Sequence, residues 1–356
     1  MAVWDQEKSM ATVDFKSLRY DLNDGWEVNE FYHARGWTDG LPIIPPTEDY
    51  IQAMIEAAAL DPGHEIAFIK ERRVSLKAEK VAINAVMAGC KPEYMPVIIA
   101  TLEAIGDPLF SYHGPATSTG GAAVFMLVNG PIARELEINC GDNLFGPGWR
   151  ANATLGRAVR LVMRNVIGTL PGRLDRSALG HAGKYTFCIA ENEVESPWPP
   201  VHVERGFRPE QNAVTILAAL APHQFYNPLS NTAEGILTTA CANMRISPGA
   251  GNPREYVLII AGEHMRVIAK EGWSKEDIRR FCFEHSQTSV AELKRIHVIP
   301  GDIHPEDETT LQSVVPSAGD FIIVAAGGHG GAFSCYIPAW SNKRSSQSVT
   351  KEIRRP

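Results

Sequence analysis

Short apolar, β-branched runs alternate with longer amphipathic stretches over most of this chain. That alternation restricts the fold more than any other feature. The runs are AAVFMLVNGP (122–131), KYTFCIAENE (184–193), VTILAAL (214–220), EYVLIIA (255–261), RIHVIP (295–300) and FIIVAAGG (321–328). Their length and β-branched content read as buried strands. Between two of them, EHMRVIAKEGWSKEDIRRFCFEH (263–285) reads as two helices. Gly272 ends the first, and Ser274 with Asp277 resembles a capping box opening the second. Strands that alternate with helices predict an α/β fold, with mixed or mostly parallel sheets and flanking helices arranged in two lobes.

The chain divides at its proline-rich and polar stretches. Residues 1–40 read as an arm carrying Trp4, Phe15, Tyr20, Trp26, Phe31 and Tyr32. A first α/β lobe spans 41–205, and a second spans 206–341, after PWPPVHVERGFRPEQ (197–211). Residues 342–356 form a polar, basic tail expected at the surface. Within the first lobe, Thr47 caps a helix over 48–60, with Glu48 and Asp49 in its first turn. A short strand over 65–69 and helices over 76–88 and 92–105 follow. ANATLGRAVRLVMRNVIG (151–168) is amphipathic. Leu155, Ala158, Val159, Val162 and Val166 share one face, and Arg157, Arg160 and Arg164 share another. No internal repeat is evident.

Composition excludes several functional classes. A net charge of −7 argues against a general nucleic-acid binder. No stretch of 18 consecutive apolar residues is present, so no membrane span is expected. The acidic start MAVWDQEKSMATVDF lacks the features of a signal peptide, which predicts a cytoplasmic protein. Six cysteines lie far apart with no C-x-x-C pair, so free thiols are expected and a structural zinc is not. H-E-x-x-H is absent, and His297, Asp302 and His304 in HVIPGDIHPEDE read as strand, turn and acidic surface. No metal is expected, and no motif names a cofactor, which stays unknown.

Three glycine-rich loops carry the residues with chemistry. In the first, 139–152, glycines let backbone N–H groups approach a ligand, and the following helix start favours an anion. Asn139, Gly141, Asp142, Arg150 and Asn152 are its candidate contacts, with Cys140 as a candidate thiol. Arg150 can clamp a carboxylate or phosphate with two N–H bonds. Gly-Lys-Ser/Thr and Gly-x-Gly-x-x-Gly are both absent. The same residues also read as a tight loop whose Asn152 caps the helix. In the second loop, 327–335, Gly328, Gly330 and Gly331 allow close approach of a ligand beyond the end of a strand. His329 is a candidate base and Cys335 a candidate nucleophile. A glycine turn with a buried cysteine is the other reading. In the third loop, 113–121, Ser118 and Thr119 beside Gly120 and Gly121 can hold an oxyanion, and His113 can move a proton. Turn chemistry alone explains most of that loop. Cys90, near a helix start, reads either as an activated thiol or as a small buried contact.

Five stretches carry a family resemblance: DGLPIIPPTEDYIQAMI, NAVMAGCKPEYMPVIIATLEA, VNGPIARELEINCGDNLFGPGWRANATLGRAVRL, ENEVESPWPPVHVERGF and GEHMRVIAKEGWSKEDIRRF. Together they resemble a bacterial family that is similar to the proteins named for a selenocysteine-Gly-Ser-Cys motif. The nearest stretch here is Ala332-Phe333-Ser334-Cys335. Ala332 stands at the selenocysteine position and Phe333 at the glycine, which removes the selenol. The resemblance implies membership and a cytoplasmic setting rather than a reaction.

The leading functional expectation is an enzyme acting on a small anionic organic molecule in a pocket built from the three loops. Its class is open among lyase, hydrolase and thiol-dependent transfer or reduction. The alternative is a non-catalytic small-molecule-binding or partner subunit of a larger complex, favoured by the aromatic arm and the basic tail. A redox-sensing or metal-carrying protein is a third. The expected partners are a small anion and further copies of the chain, with no nucleic acid and no membrane.

Overall fold

The computed structural model describes residues 15–247 and 249–356. Trp4 and the rest of the arm before Phe15 lie outside them. The first part of the chain forms α1 (Gly25–Ala34), α2 (Glu48–Ala58), the hairpin β1 (Glu65–Ile69) and β2 (Val74–Lys77), then α3 (Ala78–Ala88), α4 (Met95–Ile105) and α5 (His113–Thr117). The strand β3 (Ala123–Asn129), short α6 (Pro131–Glu135), α7 (Arg150–Asn165), β4 (Cys188–Ala190), α8 (Val201–Glu204) and β5 (Ala213–Ala219) complete it. Next come β6 (His223–Tyr226), α9 (Ala233–Met244), β7 (Tyr256–Ile260), α10 (Gly262–Lys270) and α11 (Lys275–His285). A small excursion of β8 (Gln287–Ser289), α12 (Val290–Arg295) and β9 (Leu311–Ser313) leads to β10 (Phe321–Ala325), β11 (Phe333–Pro338) and β12 (Val349–Glu352). The fold is α/β, with mixed sheets that contain parallel pairs.

Two four-stranded sheets share one plan. Their orders are β12-β5-β3-β4 and β6-β11-β7-β10. In each, the central strand pairs parallel with one neighbour and antiparallel with the other. Leu127 of β3 sits between Ile189 of β4 and Thr215 of β5. Ile259 of β7 sits in the same way between Val324 of β10 and Cys335 of β11. Thr215 then pairs with Thr350, and Cys335 with Gln224. Each central strand runs into a glycine and a helix, as Asn129-Gly130 before α6 and Ala261-Gly262 before α10. The chain therefore contains a structural repeat. The fourth strands are exchanged: β6 follows β5 yet joins the sheet of β7, and β12 follows β11 yet joins the sheet of β3.

The sheets stack face to face, with helices on both outer faces. Phe125, Leu127, Ile189 and Leu217 of one sheet meet Val257, Ile259, Val324 and Ile337 of the other in a shared apolar layer. Alternate residues point outward, as strand geometry requires. Met126, Val128, Val214 and Ile216 face α3, α4 and α7. Leu258, Ile260, Ile323 and Ala325 face α9, α10 and α11. Full burial of each Val, Leu, Ile, Met or Phe side chain among them contributes about 1.5–3 kcal/mol.

Several local expectations meet a different outcome. RIHVIP is not a strand: α12 ends at Arg295, and His297 turns with φ 57°. The stretch 342–356 is not a free tail, because β12 pairs with β5 and buries Val349 and Ile353. β5 lies beyond the expected boundary at 206 yet pairs with β3, which lies before it. The described part of the arm packs on its own chain, with Phe15, Val28 and Tyr32 against the first core. The arginine face of α7 straps it down. Arg157 pairs with Asp39 at 2.8 Å, and Arg164 donates to the Gly36 carbonyl. Truncation after residue 345 should therefore lower the urea midpoint by the equivalent of several kcal/mol, since it uncovers β5 and removes two buried aliphatic side chains. An unchanged midpoint would show that the segment is dispensable.

Candidate functional site

The carboxyl ends of the parallel pairs from both sheets come together. The Asn192 N–H, just beyond β4, donates to the Ala325 carbonyl at the end of β10 (2.7 Å). The Gly327 N–H donates to the Cys140 carbonyl (2.8 Å), and the Gly262 N–H donates to the Gly328 carbonyl (3.0 Å). The loops at 139–142 and 327–331 thus touch, with residues 191–195 beside them. Gly328 packs so closely on Asp142 that any Cβ there would collide with Oδ1. The third loop lies elsewhere. Ser118 accepts from the Trp340 indole (2.7 Å), and the Thr119 carbonyl accepts from Ala178. Gly120 and Gly121 precede β3, so its seven residues, about 20 Å of strand, separate them from the first two loops. His113, exposed on α5, is at that far end.

Most groups expected to bind an anion are committed to the fold. Arg150 places Nε and Nη2 at 3.1 and 2.9 Å from the Gly89 carbonyl. Asn152 is not the cap of α7. Its Oδ1 accepts from the Asn139 N–H (2.7 Å), and its Nδ2 donates to the Asn139 and Cys188 carbonyls. Asn139 closes the turn around Cys140, accepting from the Gly141 N–H and donating to the Asp142 carbonyl. The N–H groups of Gly331 and Ala332 both donate to one oxygen of Glu263. Gly330 has open space around it.

The two cysteines separate clearly. Cys335 lies in the layer between the sheets, and burial pushes its thiol up to about 12. It is a packing residue opposite Ile259, not a thiolate. Cys90, Cys188, Cys241 and Cys282 are also buried. Cys140 alone is half-exposed. Burial raises its thiol, and the nearby carboxylates of Glu195 and Glu193 raise it further. The thiol is therefore protonated at neutral pH.

His329 is exposed at the rim. Its Nδ1 faces Arg266 Nη1 at 3.3 Å, and its Nε2 faces Glu195 Oε1 at 3.4 Å. A guanidinium only donates, so Nδ1 accepts and Nε2 carries the proton toward Glu195.

A cavity of about 360 Å³ opens between the ends of β3 and β4, and Cys140, Arg134, Glu191, Asn192 and Glu193 line it. Among the described residues the Arg134 guanidinium has no hydrogen-bond or ion-pair partner. Glu193 Oε1 accepts from Asn129 Nδ2 (2.8 Å) and the Gly130 N–H (2.7 Å). Gly130, at φ +91°, could not carry a side chain, because its Cβ would strike the Gln211 carbonyl. Glu191 is buried against Lys275 Nζ (3.2 Å), Asn129 Nδ2 and the Val201 N–H. Burial raises its proton affinity, and Lys275 opposes that. Larger grooves of about 490 and 460 Å³ run under the arm beside Leu18, Tyr20 and Tyr32. They are seams of arm packing, and Glu79 there already accepts from Lys16 and Ser17.

Arg134 and Glu193 carried no motif. The rule that ligands bind beyond the carboxyl ends of strands, applied to β3 as it was to FIIVAA, points at both. Among the described residues no group of three or more His, Cys, Asp or Glu side chains is placed to hold a metal ion, and no helix is long and apolar enough to cross a membrane. No protein-family model, curated protein or solved structure matches the chain.

Alkylation of the native protein should modify Cys140 alone, more slowly at pH 7 than a free cysteine, with the rate rising steeply above pH 9. Peptide mapping checks this, and native labelling of Cys335 would contradict it.

Proposed function

We propose that the protein is an enzyme that moves protons on a small organic anion, a lyase-type reaction, in the cavity at the ends of β3 and β4. One observation carries this reading. A protonated thiol, an uncommitted guanidinium and a carboxylate line the same 360 Å³ space. Arg134 holds the anionic group of the substrate through charge-assisted hydrogen bonds. Glu193 removes a proton from the carbon beside that group. The electron pair forms a carbon–carbon double bond, and the leaving oxygen departs with the Cys140 proton. The thiolate then regains a proton from solvent and the Glu193 carboxylic acid releases its own, which closes the cycle. Among the three reaction classes open from the sequence, a thiol held protonated favours this acid–base chemistry over thiolate attack. The Asn129 and Gly130 donors fix one oxygen of Glu193 and leave the other for the substrate.

The features that favoured a partner subunit have other roles in the fold. The arm from Phe15 onward covers the first core, and the basic tail supplies β12.

A panel of small hydroxy- and oxo-carboxylates in D₂O, followed by proton NMR, tests the proposal. At least one acid should exchange a C–H proton or eliminate. Glu193→Gln and Cys140→Ala should each slow the reaction by about 10²-fold or more. Thermal stabilisation by the acids without exchange would mark a binding protein. Neither effect would remove the cavity as a carboxylate site.

A further inference from the structure

Behind the cavity wall stands a histidine that the proposed reaction does not use. His202, on α8, is fully buried, and among the described residues neither ring nitrogen has a hydrogen-bond partner. The Asn129 Oδ1 beside Glu193 is buried and unpartnered too. A buried polar group left in this way carries a desolvation cost that an apolar side chain filling the same volume would not. The nearest charge is Glu193: its Oε1 lies 3.8 Å from His202 Nδ1, just beyond hydrogen-bond reach.

The other charges around α8 are already paired. Glu191 and Glu204 both bind Lys275, and Arg279 binds Glu204. Arg205 donates to Ser348 and Thr350. The strands packed on α8, β5 and β10, carry no charged side chain. Among the described residues, the charge that an ion-pair distance places nearest the imidazole is therefore the one on the group proposed as the base.

We infer that His202 is a positioning residue for Glu193. Protonated, it closes the short gap and adds a third donor, Nδ1–H, to the Glu193 Oε1 already held by Asn129 and Gly130. Neutral, it leaves that oxygen to those two donors alone, and the carboxylate is the stronger base. The inference rests on the proposed role of Glu193. It adds a buried group that decides at which pH that base is free to work.

The ligand-free protein, labelled with ¹⁵N in its histidine rings, provides the test. The pH at which one buried ring changes its shifts should fall in Glu193→Gln, because the ring loses the neighbouring carboxylate charge. The pH profile of Cys140 alkylation should show an inflection at that same pH in the wild type and none in His202→Gln. Identical ring titrations in the wild type and Glu193→Gln would overturn the inference, as would a ring that does not titrate between pH 5 and 9. The Glu193→Gln comparison decides the matter even if His202→Gln fails to fold. Proton exchange on a carboxylate without this linkage would sink only the role of His202. The linkage without any such exchange would sink only the proposed reaction.

Discussion

The apolar face between the two sheets holds the rest of the structure in place. Each sheet carries helices on its outer face and buries its second face against the other sheet. The layer of Phe125, Leu127, Ile189, Val257, Ile259 and Ile337 is therefore shared property. The exchange of β6 and β12 makes the sharing topological as well, since each sheet is completed by a strand that follows the other half in sequence. Lys275 adds a polar tie across the same boundary, pairing in the interior with Glu191 and Glu204. Removing one partner of such a buried pair leaves the other charge stranded, a loss of about 3–5 kcal/mol.

That stacking also explains where chemistry can occur. It brings the carboxyl ends of β3, β4 and β10 within hydrogen-bond distance of one another's loops. The two halves then use equivalent positions differently. After β7, the glycine loop folds down over Gly262, Glu263 occupies its amides, and Arg266 holds His329. After β3, the corresponding space stays open. Arg134, at the same offset from its glycine as Arg266 from Gly262, is left uncommitted beside Cys140. One half closes on itself and the other keeps a cavity.

Strands and helices were legible where local pattern decides them. The apolar runs of β3, β5, β7 and β10, the Thr47 cap and the Ser274–Asp277 capping box all sit where the sequence places them. Long-range pairing was not legible. β12 is a polar edge strand whose partner lies more than a hundred residues earlier, and RIHVIP has a strand's composition but ends in a proline-glycine turn. The repeat survives in sequence only as apolar runs followed by a glycine and, four residues on, an arginine. At the site, glycine content marked the two loops that meet. It could not show that their amides are satisfied by Asn139 and Glu263, or that Arg150 is anchored on a carbonyl 61 residues away. Free groups are defined by what fails to pair with them, and only the packed structure reveals that.

In the proposed reaction, Arg134 makes the Cys140 cavity an anion site. The most direct measurement compares iodoacetate with iodoacetamide as alkylating agents of Cys140, in the wild type and in Arg134→Ala. The two reagents differ in one charge, so the ratio of their rates reports the field at the thiol and cancels its intrinsic reactivity. This ratio should fall by about tenfold on loss of Arg134, the effect of removing one charge-assisted contact of about 1.5 kcal/mol. An equal ratio in the two proteins would contradict it, since Arg134 would then hold no anion beside Cys140.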